Sequence, residues 1–179
     1  RTSIDSALGL MEQYLDYEKI NAGFLELHKS KSNLADLVTA SVNNLGMIAR
    51  KRKQELTVDA QPLQAAVDPL RMQQVMENLI SNAIKYTPEG GKISVRLYET
   101  NGSITFEVED NGFGIPPAEL ETIFGKFKQL TNGSKLSRGF GLGLMIAHEI
   151  VEAHGGTIKA ESGGSIAKGS RFTVRLPAV

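Results

Sequence analysis

The spacing of apolar side chains alternates between two periods along the chain. Ile4, Leu8, Met11 and Leu15, with Tyr14 beside them, recur at helical spacing over residues 2–21, and Asn21-Ala22-Gly23 reads as the stop of that helix. "FLELHKS" (24–30) reads as a short strand. Leu34, Leu37, Val38, Val42, Leu45 and Ile48 then line one face of a second helix. "ELTVDA" and "QAAVD" read as two short strands separated by Pro62. Asp68-Pro69 fits the cap and first turn of a helix over "LRMQQVMENLISNAIKY". "KISVRLYE" and "SITFEVED" switch to period two and are joined by Thr100-Asn101-Gly102, a hairpin signal.

Past residue 114 the pattern dissolves as far as residue 141, apart from a short helix near "AELETIF". "GLMIAHEIVEAHGG" is an amphipathic helix ending at a double glycine, and "TIKAES" and "SRFTVRLP" close the chain as strands. There is no internal repeat. The order predicts an α+β fold: a two-layer sandwich of helices on a mixed, mainly antiparallel sheet, with an N-terminal helix in front. That helix has a single apolar stripe, which packs on a partner or a second copy, or folds back on the domain.

Composition narrows the classes. The 179 residues suffice for one ordinary domain with a real core, and 41% apolar against 22% charged residues is a globular balance. Twenty basic and twenty acidic side chains cancel, which argues against a general nucleic-acid binder. With no cysteine there is no disulfide, thiolate zinc site or cysteine nucleophile, and a reducing, cytoplasmic setting is expected. No apolar run approaches the roughly 18 residues that a membrane span needs. The chain starts at Arg1 without methionine, and reads as a fragment of something longer.

Four segments carry chemistry that a scaffold would not need. In "ENLISNAIKYTP", Asn78, Asn82 and Lys85 fall at i, i+4 and i+7 and share one helix face, while Leu79, Ile80, Ala83 and Ile84 lie on the buried side. Such a face is either solvated or holds a hydrated hard cation on two carboxamide oxygens beside an ammonium that meets phosphate. In "EDNGFGIPPAELETIF", Asp110 ends a buried-looking strand, where a carboxylate needs a donor to offset desolvation. That donor is either the backbone just after it or the exocyclic amine of a purine, with Gly112 and Gly114 keeping Cβ atoms away from the ring. "SRGFGLGL" places Gly139, Gly141 and Gly143 before a helix, where free amides favour phosphate. It is neither the P-loop nor the dinucleotide fingerprint. The fourth segment, "IFGKFKQLTNGSKLSRGF", is long and carries Lys126, Lys128, Lys135 and Arg138 between Phe124 and the glycines, as a lid or a surface loop would.

In this order, the Asn-rich helix, the Asp-x-Gly-x-Gly loop, the Phe-x-x-Phe segment and the glycine-rich helix start resemble the N, G1, F and G2 boxes of sensor histidine kinases. They lie in the ATP-binding catalytic domain that those kinases share with gyrase B, Hsp90 and MutL, a Bergerat-type ATP-binding fold. The resemblance runs from residue 24 to Pro177. "YLDYEKINAGFLELHKSKSNLADLV" also resembles the junction between the second helix of the dimerisation hairpin and this domain. The implied division is residues 1–22 as the end of the dimerisation and phosphoacceptor helix, and 23–179 as the catalytic domain.

The resemblance implies a role for each matching residue. Asn78 and Asn82 become the magnesium positions, and Lys85 and Tyr86 approach phosphate and nucleotide. Asp110 accepts from the adenine amino group, with Gly112, Gly114 and Ile115 shaping the pocket. Phe124 and Phe127 hold the base of the lid, and Lys126 stands where the family commonly has arginine. Arg138, Gly139, Gly141, Leu142, Gly143 and Leu144 belong to the G2 box, and Ser170 matches a hydroxyl position near adenine. Glu77, beside Asn78, would aid the acceptor imidazole. The implied cofactors are ATP and Mg2+, and the implied activity is transfer of the γ-phosphate to a histidine. The implied partners are a histidine-bearing dimerisation domain of the same protein and a response-regulator receiver domain, in a homodimeric parent that is cytoplasmic or the cytoplasmic part of a membrane-bound sensor.

Three departures qualify it. Gly125 stands where many F boxes have glutamate, and Phe140 replaces a small residue inside the G2 box, where it stiffens the lid or stacks near the nucleotide. The H box with its phosphoaccepting histidine is absent; "RTSI" resembles only its tail. His28 reads as an exposed strand residue, and His148 and His154 lie on the last helix, His154 as a cation stabilising its C-terminus. Hydrolysing members of the superfamily carry glutamate where Asn78 stands, and an amide cannot act as a general base, so hydrolysis is disfavoured. A nucleotide-binding sensor or an ATPase module of the same superfamily is the alternative.

Overall fold

The computed structural model describes residues 9, 11, 14–20, 22–125, 141–163 and 169–177. Helix α1 covers 14–20. After it come β1 (Ser30–Asn33), α2 (Leu34–Lys51), β2 (Glu55–Ala60), β3 (Gln64–Val67) and α3 (Pro69–Tyr86). Strands β4 (Lys92–Thr100) and β5 (Ser103–Asp110), the short α4 (Pro117–Leu120), α5 (Gly143–Ala153), β6 (Thr157–Ser162) and β7 (Ser170–Pro177) follow. The large sheet has the order β2-β4-β5-β7-β6, parallel between β2 and β4 and antiparallel elsewhere, and β1 pairs with β3 in a separate two-stranded sheet. The expected mixed, mainly antiparallel sandwich is what forms. β2 and β3, adjacent in sequence, go to different sheets.

The helices cover one face of the large sheet because each carries an apolar stripe at the right period. Helix α3 is the centre, with Met72, Val75, Met76, Leu79 and Ile80 essentially fully buried. It meets Leu34 and Val38 of α2, Ile146 and Ile150 of α5, and the inward residues Val95, Leu97, Phe106, Val108 and Val174 of the sheet. Its start follows from sequence: the Asp68 side chain accepts from Leu70 and Arg71 N–H, both at 3.1 Å, and Pro69 occupies the first turn.

Two expectations need correction. No strand forms over 24–30: the ladder begins at Ser30, paired with Val67, since only there does β3 supply a partner. The His28 N–H upstream is instead held at 2.9 Å by Asp68 Oδ2, and Phe24 stands 73% exposed. Burial alone would raise the Asp68 carboxyl, but donors from His28, Arg71 and Leu70 outweigh it and hold it below the usual carboxylate value.

His154 is not a surface cation. It is buried, its Nε2 accepts from the Asp68 N–H at 2.9 Å, and its Nδ1 lies 2.7 Å from Ile150 O. An amide N–H can only donate, so Nε2 is the acceptor and Nδ1 carries the proton. Burial pushes the ring below the ordinary histidine value, and Lys29 adds to this against the Ile150 carbonyl and Asp68. An unfolded histidine titrates near 6.5, so below that pH the unfolded chain takes a proton the native ring refuses. Native stability is therefore expected to fall as pH drops from about 7.5 to 5.5, a window above that of Asp68. Urea melts across this range should show a shallower fall for His154→Gln; equal slopes would contradict a neutral buried ring.

Helix α1 lies against the domain at one end. Asp16 accepts from Arg71 Nη1 at 2.9 Å and Gln74 Nε2 at 2.8 Å, and Tyr17 and Ile20 pack on the core. Met11, Tyr14 and Leu15 remain exposed. The described members of the expected stripe thus face open surface, and the contact with this domain is made by Tyr17 and Ile20, outside it.

Candidate functional site

Strand β5 delivers Asp110 to the end of the sheet, in register with Ser170 on β7. The side chain is 2% exposed. Gly112 N–H donates to Oδ1 at 2.8 Å and Ser170 Oγ–H to Oδ2 at 2.5 Å. Of the two partners expected, the turn backbone is present as Gly112 N–H, and the Ser170 hydroxyl from a distant strand is a further donor that was not expected. These donors do not offset the desolvation. Burial pushes the carboxyl above its usual value, and neighbouring Glu109 raises it further. A carboxylate left short of donors in a buried position fits a ligand that brings an N–H.

The glycines around it answer to backbone crowding. A Cβ on Gly112 would sit 2.3 Å from Tyr86 O, at the end of α3, and Phe113 N–H donates to that same carbonyl at 3.2 Å. Gly114 has φ +72°, and a Cβ there would meet Ser162 Oγ at 2.8 Å. Ser162 in turn accepts from Ile115 N–H at 2.8 Å and donates to Gly169 O at 2.7 Å, so β6 fixes the loop after Asp110. Phe113, between the two glycines, is exposed.

On the other side, α3 presents Asn78, Asn82, Lys85 and Tyr86, all half-buried. Asn78 Nδ2 donates to Gly143 O at 3.2 Å, so its Oδ1 remains an acceptor. A Cβ on Gly143 would lie 3.0 Å from that Oδ1, which ties the start of α5 to this asparagine. Lys85 Nζ lies 4.8 Å from the Tyr86 ring centroid, in cation–π range. Glu77 faces away: its Oε1 accepts from Asn44 Nδ2 at 2.9 Å and Gln73 Nε2 at 3.0 Å, on the α2 side. Leu142 is buried just before α5, Leu144 is half-buried, and Gly141 has φ +69°. Phe124 packs edge-on to Phe172 at 6.4 Å and lies 5.5 Å from the His148 ring. Lys126, Phe127, Arg138 and Gly139 fall outside the described residues, as do Lys128, Lys135 and Phe140.

The structure thus brings the G1 loop, the end of α3, the start of α5 and Ser170 together at one end of the sheet. Sequence reasoning missed Ser162 and Gly169. Gly169 has φ +148° and would place a Cβ 2.0 Å from Asp110 O. Its signal was faint: a glycine immediately before a strand whose first residue was already of interest.

The chemistry of this site agrees with comparisons to known proteins. The family model described as "Histidine kinase-, DNA gyrase B-, and HSP90-like ATPase" matches residues 67–179. The circadian input-output histidine kinase CikA of Synechococcus elongatus is 37% identical over 175 residues, covering 95% of this chain and 23% of that protein. Sensor histidine kinase GacS of Pseudomonas protegens is 34% identical over 182 residues, covering 97% and 20%. The chain therefore spans about a quarter or less of these relatives. The mycobacterial sensor histidine kinase MprB superposes with a TM-score of 0.75 at 27% identity, over 83% of this chain and 98% of that one. Full-length ShkA in complex with AMPPNP gives 0.85 at 26% identity, over 100% of this chain and 37% of that one. The chain belongs to the histidine kinase-, gyrase B- and HSP90-like ATPase family, and within it is an ATP-binding catalytic domain of the sensor histidine kinase type.

Proposed function

We propose that this domain holds Mg-ATP between α3 and the 111–115 loop and donates its γ-phosphate to a histidine on a dimerisation domain. The observation that carries this reading is the buried Asp110 carboxylate at the end of β5, whose protein donors do not offset its desolvation. Asp110 accepts the adenine amino group, Gly112 and Gly114 let the loop pack against the end of α3 and against Ser162, and Ser170 fixes the carboxylate. Ile115, Leu142 and Leu144 give apolar cover. The AMPPNP complex of the similar ShkA supports a nucleotide of this class.

Asn78 and Asn82 suit a hard cation, since each offers a neutral carboxamide oxygen on one helix turn and the Asn78 amine is already used on Gly143 O. Bound there, Mg2+ would neutralise phosphate charge while keeping several waters. Lys85 contributes a second positive charge, and Tyr86 lines the nucleotide. Lys126 and Arg138 supply lid cations, Phe124 and Phe127 its base, and Gly139, Gly141 and Gly143 its hinge and amides. A histidine imidazole nitrogen attacks the γ-phosphorus; the new P–N bond forms as the bond to the β–γ bridging oxygen breaks, and ADP leaves. The phosphate then passes to an aspartate of a receiver domain. Glu77, bonded toward α2, is poorly placed to activate water for hydrolysis, which favours transfer.

In this reading residues 1–22 are the end of the dimerisation helix, 23–179 are the catalytic domain, the parent is a homodimer, and the domain works in the cytoplasm. Among the described residues no helix is long and apolar enough to cross a membrane. The test adds γ-labelled ATP and magnesium to this domain together with a histidine-bearing hairpin. Acid-labile, alkali-stable label on the hairpin, absent with EDTA, is expected. Rapid free phosphate from the domain alone would point to an ATPase, and binding without either product would leave a sensor.

A further inference from the structure

The C-terminal end of α3 has an unusual supply of hydrogen-bond donors. A helix leaves its last carbonyls without partners in its own ladder, and ordinarily the following chain turns back to donate to them. Here Thr87 is extended and Pro88 has no N–H. The following chain gives only Thr87 N–H to Ala83 O at 3.0 Å and Gly91 N–H to Pro88 O at 3.1 Å, and leaves the carbonyls of residues 84–87 to other donors. The donors come from elsewhere. Gln54 is buried, and its Nε2 lies 3.0 Å from Ile84 O, 2.7 Å from Thr87 O and 3.4 Å from Pro88 O. Arg52 Nη1 lies 3.5 Å from Lys85 O, and Nη2 lies 3.2 Å from Thr87 O. The remaining carbonyl, Tyr86 O, takes the Phe113 N–H of the loop after Asp110.

Five successive carbonyls, 84 through 88, are thus claimed by the α2–β2 turn and by that loop. The carboxamide orientation is forced: reversing it would press an oxygen against three carbonyl oxygens. Its own Oε1 is buried without a hydrogen-bond partner among the described residues, a cost the three contacts to Nε2 offset. The turn itself is pinned, with Gly90 N–H on Arg52 O at 3.2 Å and Glu55 N–H on Gly91 O at 2.9 Å.

We infer that Gln54 and Arg52 are positioning residues for the nucleotide: from beyond the end of α3 they hold the carbonyls around Lys85 and Tyr86, and so set the separation between this helix and the loop of Asp110. The inference rests on the proposed nucleotide site. The transmission is short. Tyr86 O is the atom against which Gly112 packs, and Gly112 N–H is one of the donors to the Asp110 carboxylate described above. Loosening the helix end displaces the Lys85 ammonium and opens the loop.

The test is a double-mutant cycle read by calorimetric titration of Mg-ATP at a temperature where circular dichroism shows every variant folded. Gln54→Met keeps length and removes the donors, and should weaken Mg-ATP about fivefold. Lys85→Ala weakens it independently, and in that background Gln54→Met should add only about two- to threefold, because one of the two groups it positions is gone and the route through the Asp110 loop remains. Additive losses, or a lowered melting temperature with unchanged affinity, would reduce Gln54 to a helix cap and overturn the inference. Should Gln54→Met not fold, Arg52→Met takes its place in the same cycle. Failure of the wild-type domain to bind Mg-ATP would count against the nucleotide site itself, whereas binding with an additive cycle counts against this inference alone.

Discussion

Asp110→Asn is expected to abolish useful Mg-ATP binding while leaving the domain about as stable as the wild type. The two halves of this result have one cause. The carboxylate is buried, its three protein donors (Gly112 N–H and the Ser170 hydroxyl and N–H) do not offset the desolvation, and its folded-state pKa is raised. A raised carboxyl pKa means the charged form is disfavoured in the fold, so the site contributes less stability as pH rises through that value. Asparagine escapes this cost. Its oxygen still accepts from Gly112 N–H and its amine donates to a Ser170 hydroxyl that rotates to accept, while the bond from Ser170 N–H is weakened, which offsets part of the gain. Toward the ligand the change is unfavourable, since an amine then faces the adenine amine. Losing a charge-assisted bond and gaining a donor–donor clash should cost about 2–3 kcal/mol, roughly a hundredfold in affinity. Thermal melts beside calorimetric titration check both halves. A lowered melting temperature with intact binding would mean that Asp110 serves the turn and nothing else.

Gly169→Ala should be the most damaging single-methyl change in the site. The backbone there has φ +148°, and the added Cβ would lie 2.0 Å from Asp110 O, with Asp110 C and Asn111 Cα at 3.0 Å. All three neighbours are main chain, so no flexible side chain can yield. β7 would have to separate from β5 at the point where Ser170 reaches Asp110. The cost should reach about 3 kcal/mol or more, against a typical domain stability of about 5–15 kcal/mol. Gly163 is the natural control: it has φ +75° with nothing within 4 Å of its Cβ, so Gly163→Ala should cost only about 1 kcal/mol of backbone strain. Urea melts of both variants separate collision from conformation; similar costs would mean that the approach of β7 to Asp110 is not tight.

Local signals were readable and long-range ones were not. Asp68-Pro69 and the apolar period of α3 announced that helix because cap, first turn and buried face are all encoded within it. Asn101-Gly102 likewise announced the β4–β5 hairpin, where Asn101 adopts φ +50°. The strand expected at 24–30 failed because a strand needs a partner, and β3 reaches only residues 30–33. His154 was misjudged for the same reason: its partner, the Asp68 N–H, lies 86 residues away, and no local pattern discloses it. Asp110, Ser170 and the glycines were legible through the order of four motifs. Ser162, Gly169, Gln54 and Arg52 were not, since each acts by touching backbone from a distant segment.

The claim on which the account turns is that Asp110 receives the amino group of adenine. The most direct measurement is the affinity of the wild-type domain for Mg-ATP beside the triphosphate of purine riboside, which lacks that amine alone. The analogue should bind about tenfold to a hundredfold more weakly, and Asp110→Asn should erase the difference. Equal affinity of the wild type for the two nucleotides would contradict the account, and would place the base elsewhere than against Asp110.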